Sequence, residues 1–152
     1  MNYPRVRARR FALQALYQWQ MAGQNLASIE QQFIEDPEMN LVKNKIDLSY
    51  FKELLHQIPA QCSALDAQLE LHMNRTMASV DPVERAILRM GAYELMFRMD
   101  VPYRIILNEA IELAKMFGAE QSHRFVNGVL DQVRHQVRRS ENRIPPSAPA
   151  VG

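Results

Sequence analysis

The stretch DVPYRIILNEAIELAKMFGAEQSHRFVNGVLD, residues 100–131, carries two helical periods back to back and decides the fold class. In its first half Ile106, Ala110, Leu113, Ala114 and Phe117 recur at the three- and four-residue spacing of one helix face, after Val101 and Pro102, and the run stops at Gly118. In its second half Ser122 is placed to cap a new helix whose stripe is Val126, Val129 and Leu130, continued by Val133 and Val137. Just upstream, Asp81 can cap free amides, Pro82 suits a first helical turn and Glu84 stands where a capping-box acid belongs, so a helix is predicted from there to about Phe97. Gly91 and Gly128 fall inside these helices, where glycine costs about 1 kcal/mol relative to alanine; close helix packing is the expected compensation.

Toward the N-terminus the same period continues. A first helix is predicted from Val6 to Ala22, with Ala12, Ala15, Leu16 and Trp19 on its apolar face and Gly23 as a left-handed stop. A short second helix is expected from Ser28, as cap, to Glu35. A third starts near Asp47 and carries Phe51, Leu54, Leu55, Ile58, Leu65 and Leu69, with a bend or break at Pro59. No run alternates at the strand period. The expected fold is all-α: two three-helix subdomains, about 1–75 and 80–139, with six to seven helices in one compact domain and a boundary in 72–80. The end, SENRIPPSAPAVG over 140–152, is too poor in large apolar residues to offset its ordering entropy and is expected to be a disordered tail.

Composition narrows the function classes. A chain of 152 residues with 47% apolar and 23% charged residues suits a single domain with a sizeable core, and leaves no room for separate catalytic and cofactor domains. The single cysteine, Cys62, rules out an internal disulfide and a multi-cysteine zinc site, and fits a reducing compartment. No apolar run reaches membrane-span length and the start has no signal-peptide core, so a cytoplasmic location is expected. There is no glycine-rich phosphate loop, no GxGxxG and no HExxH, and His56, His72, His123 and His135 lack metal-ligand spacing with one another. Neither catalysis nor a cofactor is expected.

The net charge of +1 conceals an asymmetry, because Arg5, Arg7, Arg9 and Arg10 put four cations and no acid in the first ten residues. A basic arm leading into an amphipathic helix is a candidate phosphate contact. Helical spacing puts Arg5 and Arg9 on one side, while Tyr17 and Gln20 offer a stacking ring and a polar base-edge group. Near the other end Lys115, His123, Arg124, Phe125 and Asn127 cluster around a helix start that favours anions. Blander readings stay open: a solvated arm, a core Phe125, an Asn127 bonded locally. Glu84, Arg85, Arg89, Tyr93 and Glu94 read as a polar helix face, with Arg89 and Tyr93 stacked one turn apart, suited either to capping or to a protein interface. Met73, Met77, Met90, Met96 and Met99 can fill a core or line a partner groove.

With these residues in view, RARRFALQALYQWQMAGQ, YFKELL, DPVERAILRMGAYEL and the 100–131 stretch resemble, in order and spacing, the NusB family of bacterial transcription antitermination factors, over about Arg5 to Arg139. The resemblance implies two three-helix subdomains and no chemical step. It implies binding of single-stranded boxA RNA in nascent ribosomal transcripts together with NusE, a small-subunit ribosomal protein, in an antitermination complex on RNA polymerase with NusA and NusG. Carried over by position, the RNA contacts fall on Arg5, Arg7, Arg9, Tyr17, Lys115, Arg124, Phe125 and Asn127, and the NusE-facing surface on Glu84 and Arg89; Arg10, Gln20 and Gln121 join them as RNA candidates and Met77 as a NusE candidate. Three positions depart from the family pattern: Val6 stands where relatives often have arginine, Arg10 where an acid is common, and Gln121 where an acid often precedes the SHRF segment. Some relatives self-associate through the RNA-facing surface, so a homodimer stays open. An RNA-modifying enzyme is a rival, because NusB-like domains also occur fused to methyltransferases, but no glycine-rich nucleotide-binding turn is present. A helical adaptor or homodimer with no specific RNA binding is the other rival.

Overall fold

The computed structural model describes residues 1–142, and all nine of its regular elements longer than one turn of 3₁₀ are α-helices. They are α1 (Tyr3–Ala22), α2 (Leu26–Ile34), α3 (Pro37–Leu41), α4 (Leu48–Ala60), α5 (Cys62–Glu70), α6 (Pro82–Phe97), α7 (Tyr103–Phe117), α8 (Ser122–Val137) and α9 (Arg139–Asn142), with a 3₁₀ turn at Met77–Ser79. The all-helical expectation is met, with more helices than the six or seven read from periodicity. The additions are the short α3 and α9 and the separation of α4 from α5. Pro59 lies in the last turn of α4, and the chain restarts as α5 after Gln61. That is a break rather than a bend, and it falls just beyond the proline, since the Gln61 N–H still donates to the Gln57 carbonyl at 2.9 Å.

Local chemistry sets several ends as expected. Gly23 adopts φ 62° and its N–H reaches the Trp19 carbonyl, closing α1. The Asp47 side chain accepts from the Tyr50 N–H at 3.0 Å, and Asp81 accepts from Val83 and Glu84 at 3.0 and 3.3 Å. Other ends differ. Asn25, not Ser28, caps α2, with its side chain accepting from the Ser28 N–H at 3.2 Å. Glu84 closes no capping box and Ser122 caps nothing: Ser122 is the first residue of α8, and its hydroxyl donates to the Glu84 carboxylate at 2.7 Å, tying the starts of α6 and α8 together.

In the packing, α1 lies across α4 and α6 and also touches α2, while α6, α7 and α8 pack on one another and α5 lies on α6 and α8. The buried residues of both halves merge into one core from Ala8 to Val133. Gly91 is the point of closest approach between α6 and α8: a Cβ there would stand 2.5 Å from Leu130 Cδ1. Gly128 is different, since a Cβ there would meet nothing within 4 Å, and close packing is not its explanation.

The end of the last long helix departs most from expectation. Arg138 is fully buried, its guanidinium donating to the carbonyls of Leu95 (2.7 Å), Val101 (2.9 Å), Glu94 (3.0 Å) and Arg98 (3.0 Å) and pairing with Glu141. It adds a second bond to the Glu94 and Arg98 carbonyls, satisfies that of Leu95 and sets a cation at the negative end of the α6 dipole. Residues 140–142, expected to begin the tail, therefore lie in α9, with the Glu141 carboxylate accepting from the Tyr103 N–H at 3.4 Å. The rest of the expected tail, 143–152, lies outside the described residues.

The two glycines give opposite expectations in urea unfolding. Gly91→Ala lowers stability by about 1 kcal/mol or more, as overpacking against Leu130 outweighs the helix-propensity gain. Gly128→Ala raises it by about 1 kcal/mol. A stabilised Gly91→Ala protein would contradict the close contact.

Candidate nucleic-acid interface

Helix α1 has two unlike faces, and its arginines divide between them. Arg9 is 3% exposed and Glu94 2%. The Arg9 guanidinium donates from Nε to both Glu94 carboxylate oxygens at 3.1 Å and from Nη2 to Oε2 at 2.8 Å. The Tyr50 hydroxyl donates to the same carboxylate, and the guanidinium carbons of Arg5, Arg98 and Arg9 stand 4.5, 4.9 and 5.5 Å from the Tyr50 ring centre. Arg5 faces Asp47 at 3.6 Å and Asp100 at 3.8 Å, and Arg98 bridges Glu53 and Asp100 at 2.7 and 3.0 Å. Burial, reinforced by the Glu94 carboxylate, pushes the Tyr50 phenol well above the usual tyrosine range. Burial opposes the charge on Arg9, but Glu94 more than offsets it, so Arg9 is raised and stays cationic.

This is a correction to the expected phosphate contacts. Arg9 is closed off from solvent and Arg5 is half-buried in acidic company, because both lie on the backward extension of the apolar stripe: 16, 12, 9 and 5 share one side of the helix. The outward face carries Arg7, Arg10, Gln14, Tyr17 and Met21 at the same spacing, with Arg10 exposed, Tyr17 40% exposed and Met21 56%. Two adjoining grooves of about 280 and 510 Å³ flank it and share Gln14 and Phe117. Phe11 and Val42 line the first beside Arg7, Arg10 and Glu38; Leu13 and Phe33 line the second beside Tyr17. An apolar floor with a largely cationic rim can take stacked bases and hold their phosphates outside. Gln14 and Met21 were not singled out from sequence, although the 7-10-14-17-21 spacing was there to be followed; Phe117, expected on the apolar face of its helix, is instead exposed at the groove.

The remaining expected contacts fall in two groups. Lys115, Gln121 and Arg124 are exposed around the end of α7 and the start of α8, and Asn127 is half-buried there. Phe125 is half-buried against the core, with the Arg75 guanidinium 5.6 Å from its ring centre. Arg75, unforeseen, adds an exposed cation to this patch. Gln20 is a second correction: its amide donates to the Pro82 carbonyl at 2.9 Å and accepts from Arg89 at 3.0 Å, so it joins α1 to α6 rather than facing a base.

The expected protein-facing residues are drawn inward too. Arg89 grips Asp66 with two bonds of 2.9 and 2.8 Å and keeps 11% of its side chain exposed. It does not stack on Tyr93, whose ring lies 5.4 Å from that of Phe97 and whose hydroxyl donates to Glu53 at 2.7 Å. Met77 is 1% exposed and belongs to the core, and Glu84 is half-buried on Ser122. These side chains hold α5, α6, α8 and α1 together. Arg89 and Met77 are thereby corrected as surface contacts, and their partners, far off in sequence, gave no local signal.

Among the described residues no group of three or more His, Cys, Asp or Glu is arranged to hold a metal, and no helix is long and apolar enough to cross a membrane. His56 pairs with Glu30 at 2.7 Å, and burial pushes the Cys62 thiol up, away from thiolate reactivity. The Arg9 cluster predicts a specific sensitivity: Glu94→Ala leaves a buried guanidinium unpaired and costs about 3–5 kcal/mol in chemical unfolding. A loss under 1 kcal/mol would mean that the pair is not closed off from water.

Similar proteins agree with this architecture. Residues 6–135 match the model of the NusB family. The transcription antitermination protein NusB of Alcanivorax borkumensis is 50% identical over 146 residues, covering 93% of this chain and 95% of that protein. A chain in the crystal structure of antitermination factors NusB and NusE in complex with dsRNA superposes with a TM-score of 0.75 at 28% identity, over 85% of this chain and 94% of that one. A chain in the crystal structure of a plectonemic RNA supercoil gives 0.79 at 28% identity, over 90% and 99%. With the family model spanning nearly all of the helical body and half the residues shared with a full-length relative, the chain belongs to the NusB family of transcription antitermination proteins.

Proposed function

We propose that this protein binds boxA RNA in nascent ribosomal transcripts together with NusE, as a non-catalytic part of the antitermination complex that RNA polymerase carries with NusA and NusG in the cytoplasm. The outward face of α1 carries the reading: Arg7, Arg10 and Tyr17 stand on one solvent-facing stripe above apolar grooves. The arginines, with Lys115 and Arg124, neutralise phosphates, while Tyr17 and the open edge of Phe125 stack on bases. Exposed Gln121 adds no negative charge to this surface. The NusE contact belongs to the surface around the start of α6, where Glu84 is the remaining candidate. Family membership and the relative crystallised with NusE and RNA support both partners. That relative, bound to dsRNA, also favours a second reading in which the same face meets a duplex.

Fluorescence anisotropy over a salt series separates the possibilities, using boxA-like single strand, scrambled single strand and duplex, each with and without NusE. Four neutralised phosphates give a slope of about −3 in log affinity against log salt on a single strand. Tyr17→Ala costs about 1–3 kcal/mol of RNA affinity. NusE is expected to tighten boxA binding selectively. Equal affinity for boxA and scrambled strands, indifferent to NusE, would replace this reading with a helical adaptor or homodimer; preference for the duplex would favour the second reading.

A further inference from the structure

Beyond the arm and the α8 patch, one more cationic feature borders the α1 grooves. The turn between α3 and α4 carries Lys43, Asn44 and Lys45, all exposed. Its backbone is pinned to the first turns of α1 at two points: the Asp47 N–H donates to the Pro4 carbonyl at 3.0 Å, and Arg7 Nη1 donates to the Lys45 carbonyl at 2.9 Å. Within the turn, the Lys45 N–H closes on the Val42 carbonyl at 2.7 Å, and half-buried Ile46 packs against the core. Lys45 is therefore held beside Arg7 by the fold, with Lys43 two residues before it on the same turn. Among the described residues neither ammonium has an acidic partner, whereas Arg5, Arg9, Arg89 and Arg98 are all committed to carboxylates. Val42 of the same turn lines the groove that Arg7, Arg10 and Phe11 share, and the acid on that groove is Glu38.

The geometry points to the Val42–Lys45 turn as an extension of the RNA track: a single strand leaving the α1 grooves past Arg10 and Arg7 runs over the turn, where Lys43 and Lys45 neutralise two further phosphates. The inference rests on the RNA-binding reading above and adds a site to it. Three cations side by side, Arg7, Lys43 and Lys45, attract a polyanion without reading its sequence, so this segment contributes affinity and salt dependence rather than selectivity. An acidic protein surface is the competing occupant. The continuous apolar floor running from Tyr17 to Val42 favours RNA, because it offers bases a place to stack on the way to the turn.

The test compares wild type with Lys43→Gln/Lys45→Gln, both exposed positions whose replacement leaves the core untouched, on a boxA-like RNA and on the same RNA lengthened by a few uridines at its 5′ or its 3′ end. Wild type is expected to bind one lengthened RNA more tightly than the short one, with a salt slope steeper by about 1.4. The double variant is expected to lose that gain while binding the short RNA as wild type does. Equal gain and equal slope in the variant would overturn the inference while leaving the RNA-binding reading intact. Weaker NusE binding by the variant with unchanged RNA binding would put an acidic protein surface on the turn and overturn it too. Failure of wild type to bind the short RNA at all would overturn the reading on which it rests.

Discussion

The structure depends on one buried charge pair, Arg9 on Glu94, closed by the Tyr50 hydroxyl. Removing two charges from water costs several kcal/mol per ion, and only well-aligned bonds repay it. Here three guanidinium contacts and a phenol converge on a single carboxylate, at the place where α1, α4 and α6 meet. An apolar contact tolerates sliding and rotation, whereas this one loses its compensation when α1 turns by a fraction of a residue. The pair therefore reinforces the rotation of α1 that its buried Ala8, Ala12 and Leu16 stripe already sets.

That rotation decides the function. Successive helix residues are about 100° apart, so locking Arg9 inward turns Arg7 and Arg10 away from the core and brings Gln14, Tyr17 and Met21 into line with them. A second set of polar bonds, partly buried, has Arg89 on Asp66 of α5 and on Gln20 of α1, with Gln20 also on the Pro82 carbonyl, and holds the other end of α1 against α6. Between these two anchors the outer face of α1 is displayed as a stripe beside Phe117 at the end of α7. If this face meets RNA as proposed, the arrangement preorganises it before RNA arrives, which lessens the ordering cost of binding.

What was legible in the sequence follows from how local each cause is. The caps at Asp47 and Asp81, the stop at Gly23 and the stripes of α7 and α8 involve neighbours within a turn, and periodicity exposes them. The exposure of individual polar residues was legible only where nothing distant claims the side chain, as at Arg10, Tyr17, Lys115 and Arg124. Arg9, Gln20, Arg89 and Arg138 find partners 85, 69, 23 and 43 positions away, and no spacing rule within one helix anticipates such pairings. For Arg9 a partial signal existed, since it continues the Ala12–Leu16 stripe, but a charged residue on an apolar stripe becomes intelligible only once its counter-charge is known. Met77 was ambiguous for another reason: methionine suits a core and a partner groove equally, and here the core claims it.

The central claim is that neighbouring arginines of α1 do opposite work, Arg9 holding the fold and Arg10 meeting RNA. The direct measurement sets unfolding free energy beside RNA affinity for Arg9→Met and Arg10→Ala. The account predicts a crossed result: Arg9→Met is destabilised but binds RNA normally once folded, and Arg10→Ala keeps its stability within about 0.5 kcal/mol and loses affinity, with a salt slope shallower by about 0.7. A stable Arg9→Met protein that has lost RNA binding, or an Arg10→Ala protein that binds RNA as wild type does, would contradict it.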